Sequence, residues 1–181
     1  NSLNANVDPK ALALSQISQS IFYSSHFISQ ELNAMLALHG LMRVLKAGTD
    51  GHSPMFISHF AMQICTSGGA GSQLAKSLIV FAQELEDENC PNRFEVELNA
   101  IQAAYWTQPL PAVIQQCHEA AAKAQAVGDI KSLKRLLCVL LDLKWLQGED
   151  LASYERSCSL ALEQAHESNA ERLGILSRSR I

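Results

Sequence analysis

Short breaks rich in glycine, proline and small polar residues divide this sequence at regular intervals. One set of breaks is spaced 39 and 40 residues apart, and an interleaved set is spaced 38 and 39 residues apart. The first set contains Gly69, Gln108 and Gly148, and the second contains Gly51, Asn89 and Gly128. Two interleaved sets of turns with one period, about 40 residues, predict a repeated helical hairpin.

The segments between these breaks carry helix signals. Alternating runs of Val, Ile and Thr and Asn-Gly turns, which indicate strands, are missing from the sequence. Asp8 followed by Pro9 offers an N-cap acceptor and a proline at the first helical position, and Gly48 is a favoured C-cap. We expect helices over about residues 9–23, 29–47, 54–66, 73–86, 110–127 and 150–167, a fifth through 94–105, a seventh between Gly128 and Gly148, and a ninth from about Asn169.

Apolar residues recur at helical spacing in most of these segments. The stripes are Leu32, Met35, Leu36, His39 and Met42 in the second helix, Leu74, Leu78, Phe81 and Leu85 in the fourth, Phe94, Leu98, Ile101 and Tyr105 in the fifth, and Val113, Cys117, Ala120 and Ala124 in the sixth. The seventh helix differs, because leucines cover most of its circumference and leave one narrow stripe with Lys131, Arg135 and Asp142. Such a helix must pack on both sides, as in a stack of hairpins.

Composition narrows the class of protein. The 181 residues suffice for one domain with its own core, and a hydrophobic content of 48% is typical of globular chains. A net charge of −4 argues against a nucleic-acid surface, and the apolar runs are too short to span a bilayer. Five cysteines without a CxxC pair indicate a reducing, cytoplasmic compartment. We expect a single domain over 1–181, cut from a longer chain because it begins at Asn1 and ends on "LSRSRI".

The motifs that could carry chemistry favour structural interpretations. "SGGAGSQLAKS" suggests a phosphate loop, but Ala70 and Ala75 stand where that motif needs glycine, and no strand precedes it. Met55, His59 and Met62 could offer soft metal ligands along one helix face, yet all three are ordinary core residues and no further ligand converges by spacing. The acidic run "ELEDE" is typical of a solvated helix end. We therefore expect no catalytic residue, no cofactor, no metal site and no enzymatic activity.

Polar stripes on the fifth and seventh helices are candidates for partner binding. An aromatic residue among polar groups is a plausible anchor, because Trp and Arg dominate interface hot spots. The alternative for Trp106 is that it closes the core of its own hairpin, next to "TQP". The candidate partner-binding residues are Glu95, Asn99, Gln102, Trp106, Lys131 and Arg135.

Two stretches carry a resemblance to a known family. They are "QPLPAVIQQCHEAAAKAQAVGDIKSL" (108–133) and "LQGEDLASYERSCSLALEQA" (146–165), and "ELNAMLALHGLMRVLKAG" followed by "FISHFAMQICTSGG" is similar. The hairpins resemble tetratricopeptide-like repeats, although the period exceeds the usual 34 or so residues and the Trp-Leu-Gly-Tyr pattern is missing. A closer resemblance is to the helical repeats of large bacterial signalling proteins, in which a STAND-class ATPase precedes the repeats and a histidine kinase or LuxR-type output follows them.

The resemblance implies an all-α, right-handed α-solenoid of antiparallel, tetratricopeptide-like hairpins. It also implies a non-catalytic interaction or regulatory segment of a larger cytoplasmic signalling or transcription-regulating protein. Its partner would be another protein or another domain of the same chain, with no nucleic acid or membrane bound directly. Two alternatives stay open, namely a solenoid that senses a small-molecule effector, as in maltose-type activators, and a stand-alone dimeric helical adaptor.

Overall fold

The computed structural model describes residues 8–65, 70–86, 90 and 93–166. These residues form eight α-helices and no β-strand, which confirms the all-α fold class. The helices are α1 (Pro9–Ile28), α2 (Gln30–Ala47), α3 (Ser53–Cys65), α4 (Ala70–Glu84), α5 (Arg93–Ala104), α6 (Leu110–Ala126), α7 (Ile130–Gln147) and α8 (Leu151–His166). The chain divides into two compact units, Asn1–Thr107 and Gln108–Ile181. The single repeat domain, its solenoid arrangement and its period stay predictions.

The helix ends follow local capping chemistry. Asp8 caps α1 by accepting a hydrogen bond from the Lys10 amide, and Asp129 caps α7 in the same way through Ser132. Gly148 ends α7 with a φ of 78°, in the left-handed region that favours glycine. The helix predicted to end near Tyr23 extends to Ile28, because the next break in the backbone is the extended Ser29 that caps α2. The ninth helix predicted from about Asn169 lies outside the described residues.

Helix α3 is the centre of the first unit. It packs against α2, α4 and α5, and every residue from Ser53 to His59 is buried. Its two sides contribute to different apolar clusters. Met55 and Phe56 join Phe22 and Ala37, whereas Ile57 joins a cluster with Val44, Ala82 and Val96. Surrounded on several sides, α3 is the element on which the other helices of this unit depend.

Helix α2 packs through small residues rather than through its large apolar ones. Its buried residues are Asn33, Ala37, Gly40 and Val44. A Cβ atom added at Gly40 would lie less than 3.0 Å from three atoms of the Phe56 side chain. The apolar face seen in the sequence is therefore not the buried face, since Leu32, Met35 and Met42 are exposed and only Leu36 is half-buried.

Helix α7 is the centre of the second unit. It packs against α6 on one side and α8 on the other, as its leucine-covered circumference predicts. Leu133, Leu136, Leu137, Leu140, Leu141 and Leu143 are all buried. The predicted stripe of α6 is buried as well, and the Cys117 thiol donates a hydrogen bond to the Leu136 carbonyl at 3.3 Å. Helix α8 contributes Tyr154 and Ala161 to the buried part of the unit.

The contact between Gly40 and Phe56 generates the first prediction. We expect Gly40→Ala to lower the free energy of unfolding by about 1–2 kcal/mol, because overpacking costs about 1–3 kcal/mol and outweighs the gain in helix propensity of up to about 1 kcal/mol. The measurement is urea unfolding of both proteins. As a control, the same substitution in a Phe56→Ala background should cost less, because alanine lacks the Cγ and Cδ1 atoms that lie nearest the added Cβ. An equal cost in both backgrounds would show that the Phe56 ring does not set the approach of α2.

Candidate functional site

A polar cluster at the start of α3 is built around Asp50. The Asp50 carboxylate accepts hydrogen bonds from the His52 amide at 3.0 Å and from the Ser15 hydroxyl of α1. It also lies 4.0 Å from the Arg43 guanidinium of α2. Arg43 in turn lies 5.3 Å from the centre of the Phe56 ring. The cluster thus connects the first three helices through one carboxylate, which is a structural role.

Burial changes the titration of two members of this cluster. It lowers the pKa of Arg43, and the charge of Asp50 partly offsets that effect. Burial is also the main cause that lowers the pKa of His52, with Asp50 opposing it and Arg43 adding to it. His52 is therefore kept neutral in the folded chain at neutral pH, because a charged imidazole would lose its hydration there.

A second polar network lies in the core between α1, α2 and α3. The Asn33 side-chain amide donates hydrogen bonds to the Phe22 carbonyl at 3.3 Å and the Ser25 hydroxyl at 3.1 Å. Its oxygen accepts from His59 Nε2 at 2.7 Å and from Gln63 Nε2 at 3.2 Å. The network satisfies all the polar groups of Asn33 without solvent. His59 thus has a structural role here, as the core interpretation of its helix face predicted.

The chemistry available to the described residues is limited. Burial raises the pKa of the Cys117 thiol to about 12, so it stays protonated and unreactive. Burial also raises the pKa of Cys65, whose thiol donates to the Ala103 carbonyl. Within residues 8–65, 70–86, 90 and 93–166, no group of three His, Cys, Asp or Glu side chains could hold a metal ion. The segment 66–69 of the glycine cluster lies outside the described residues.

Exposed apolar side chains form one stripe on α1 and another on α2. The α1 stripe consists of Leu14, Ile17, Ile21 and Ile28, and the α2 stripe consists of Met35, Leu38, Met42 and Leu45. Along each helix the spacing alternates between three and four residues, with the exposed Ser24 filling one step on α1. This heptad spacing is the pattern of helices that pack on another helix, yet Met35 is 68% exposed and Ile28 is 74% exposed.

The six residues predicted to bind a partner fall into different environments. Glu95 and Asn99 are buried, and Asn99 donates a hydrogen bond at 3.0 Å to the Ser58 hydroxyl of α3. Gln102 is half-buried, whereas Trp106 is 58% exposed with its ring edge-on to Tyr105. The alternative, in which Trp106 closes the core of its own hairpin, stays a prediction. In the second unit, Lys131 is exposed and Arg135 is half-buried.

The polar stripe of α5 therefore does not form the surface that the sequence suggested. Asn99 contacts α3 through the Ser58 hydroxyl rather than facing solvent, and Glu95 is buried as well. Sequence reasoning placed Met35 and Met42 in an apolar stripe expected to be buried and did not identify the α1 stripe, although heptad spacing was the signal that could have found both exposed stripes. It missed them because apolar residues at helical spacing normally indicate a core.

A cavity of about 260 Å³ lies among the three helices of the second unit. Leucines of α7 and alanines of α6 and α8 line most of it. Its polar lining residues are His118, Gln125, Lys144 and Ser157. The Lys144 ammonium donates a hydrogen bond to the Ser157 hydroxyl at 2.9 Å.

The described residues define an all-helical class, with exposed apolar stripes on α1 and α2 and a leucine-lined cavity among α6, α7 and α8. Comparisons of the chain with protein-family models, with curated proteins and with solved structures return no match. In the part of the chain that the structure describes, no helix combines the length and the apolarity needed to cross a membrane.

The burial of His52 generates a prediction about pH. The unfolded chain protonates this side chain at a pH of about 6.5, whereas the folded chain resists protonation because its pKa is lowered. The stability that the neutral His52 contributes is therefore fully present above that pH and is lost as the pH falls below it. We expect His52→Gln to reduce the decrease in melting temperature between pH 7.5 and pH 5.5.

The matched control is His39→Gln, which changes an exposed histidine of α2. This variant should keep the pH dependence of the unsubstituted protein, measured by thermal unfolding in the same buffers. If the two variants lose stability equally as the pH falls, His52 does not contribute to the acid sensitivity.

Proposed function

We propose that this chain is a non-catalytic protein-interaction and regulatory segment of a larger cytoplasmic signalling or transcription-regulating protein. It binds another protein or another domain of the same chain. The observation that carries the proposal is the pair of exposed heptad stripes on α1 and α2. Soluble proteins rarely leave large apolar surfaces uncovered unless they bind something.

The stripes support a helical partner. On each helix, apolar side chains at positions i, i+3 and i+7 form a seam to which an amphipathic helix can pack. Four large residues in each seam, including Met35 and Met42, supply flexible apolar contacts that adapt to a partner. Lys46 and Glu31 are exposed on α2 and supply polar groups outside the seam. The partner proposed here therefore presents its own apolar helix face.

The chemistry of the unit agrees with an interaction role. Burial raises the pKa of the Cys65 thiol, and the best-connected polar groups of the first unit, Asp50 and Asn33, hold its helices together. A rigid core below exposed side chains keeps the cost of ordering them on binding low. The proposed segment would thus present a preformed surface.

The stripe on α2 generates the third prediction. We expect the double substitution Met35→Lys and Met42→Lys to weaken partner binding at least tenfold, because two charges would be placed in an apolar interface. The free energy of unfolding should change by less than about 1 kcal/mol, since both residues are exposed in the free protein. The partner is first identified by crosslinking from a photoreactive residue at Leu38 in extracts of cells that make the protein, and its affinity is then measured with purified components.

The matched control is Leu74→Lys with Val80→Lys. Both residues are exposed on α4, in the same unit, and lie outside the two stripes. This variant should bind the partner as the unsubstituted protein does. Equal binding by the stripe variant and the control would disprove the interaction surface. A dimer of this chain that only the stripe variant abolishes, seen by sedimentation, would instead support the dimeric adaptor.

The exposed members of the six candidate partner-binding residues generate the fourth prediction. Trp106 and Lys131 are accessible to a partner, whereas Asn99 is 1% exposed. We expect Trp106→Ala to weaken binding of a partner that reaches the end of α5, with little effect on stability. Asn99→Ala should mainly lower the melting temperature, because it leaves the Ser58 hydroxyl without this donor. Unchanged partner binding in both variants would remove the α5 residues from the interaction surface.

A further inference from the structure

The cavity of the second unit has one polar end and an apolar remainder. Helices α6 and α7 form a hairpin across the short connection at 127–129, so Leu133 lies near the turn and Lys144 lies at the far end. The two positions are eleven residues apart on one helix, which corresponds to about 16 Å. Lys144 lies beside Ser157 of α8 and close enough to His118 of α6 for its charge to lower the pKa of that histidine, in addition to burial.

The lining of the cavity carries positive but no negative charge. None of the twelve lining residues is Asp or Glu. The Lys144 ammonium lies at this end, and His118 and Ser157 add hydrogen-bonding groups beside it. The other end contains Leu133, Leu137 and neighbouring alanines, with the exposed Gln125 at the rim near the turn. A cation at one end of a leucine-lined slot complements an anion that has an apolar body.

The size of the cavity limits the ligand. A volume of about 260 Å³ equals that of roughly nine water molecules in the liquid, and so holds an organic molecule of about eight to ten non-hydrogen atoms. Hexanoate and octanoate are in this range.

We propose that this cavity is a binding site for a small amphipathic monocarboxylate, whose carboxylate pairs with Lys144 and whose apolar chain lies along the α7 leucines. The carboxylate accepts hydrogen bonds from the Lys144 ammonium and the Ser157 hydroxyl, so that the existing bond between these two groups opens to include it. Leu137 and Leu140 contact the chain. The site lies within the second unit and does not depend on the protein-interaction function proposed for the first.

The site is tested by titrating the whole chain with hexanoate and, separately, with 1-hexanol, which has the same carbon chain and no charge. Shifts of leucine methyl signals in NMR spectra report the binding. We expect hexanoate to bind at least tenfold more tightly than 1-hexanol, because only the anion gains the charge-assisted hydrogen bond to Lys144. Acetate, which has the charge but lacks the chain, should bind at least tenfold more weakly than hexanoate.

Three variants separate the effect of the Lys144 charge from that of the apolar part of the cavity. Lys144→Met should weaken hexanoate binding about tenfold or more and leave 1-hexanol binding unchanged, whereas Lys144→Arg should keep most of the affinity for hexanoate. Ala122→Trp places an indole at the cavity wall from an exposed position of α6, so it should abolish binding of both compounds while the circular dichroism spectrum stays unchanged.

Several results would disprove the proposed binding site. These are no binding of hexanoate at millimolar concentration by the unsubstituted protein, equal affinities for hexanoate and 1-hexanol, or hexanoate binding that Lys144→Met leaves intact. The comparison of the three compounds on the unsubstituted protein decides the question even if a variant does not fold. None of these outcomes involves the stripes on α1 and α2, so they leave the proposed protein-interaction function untouched.

Discussion

The packing of Phe56 onto Gly40 is the constraint on which the first unit depends. The absence of a side chain at Gly40 lets α2 approach α3 closely, and Phe56 is then fully buried together with Met55 and Phe22. A close approach needs small residues along the whole contact, which Ala37 supplies one turn earlier. Leu36 and Leu41 are half-buried against the clusters that α3 joins. The other large apolar residues of α2, such as Met35, Leu38 and Met42, stay on the outer side of the helix.

Polar groups inside this contact set its register. Asn33 forms hydrogen bonds with α1 and α3 at once, and Asp50 connects Ser15, Arg43 and the start of α3. Displacing α2 by one turn would leave these buried groups without partners, at a cost that exceeds the gain from burying one more methionine. The exposed stripes are thus a consequence of a core that small and polar residues have already filled.

The second unit is packed through large apolar residues rather than through small ones. Helix α7 is apolar around most of its circumference, and its leucines contact both α6 and α8. Opposite several of these leucines, α6 presents Ala121 and Ala122, which do not fill the space between the three helices. The cavity follows from this mismatch of side-chain volumes, and its cationic end follows from the position of Lys144 at the end of the leucine-lined face.

The amino-acid sequence by itself determined the helices, because caps, glycine breaks and leucine periodicity act within a few residues of the chain. It also determined the buried surface of α7, since no arrangement could leave so many leucines in water. Which face of α2 is buried was decided by the tertiary structure, because the fit of Gly40 to Phe56 and the partners of Asn33 come from helices distant in sequence. The tertiary structure also decided that Asn99 is buried, because its amide donates to Ser58 of another helix. It decided the cavity as well, because residues of three helices form its wall.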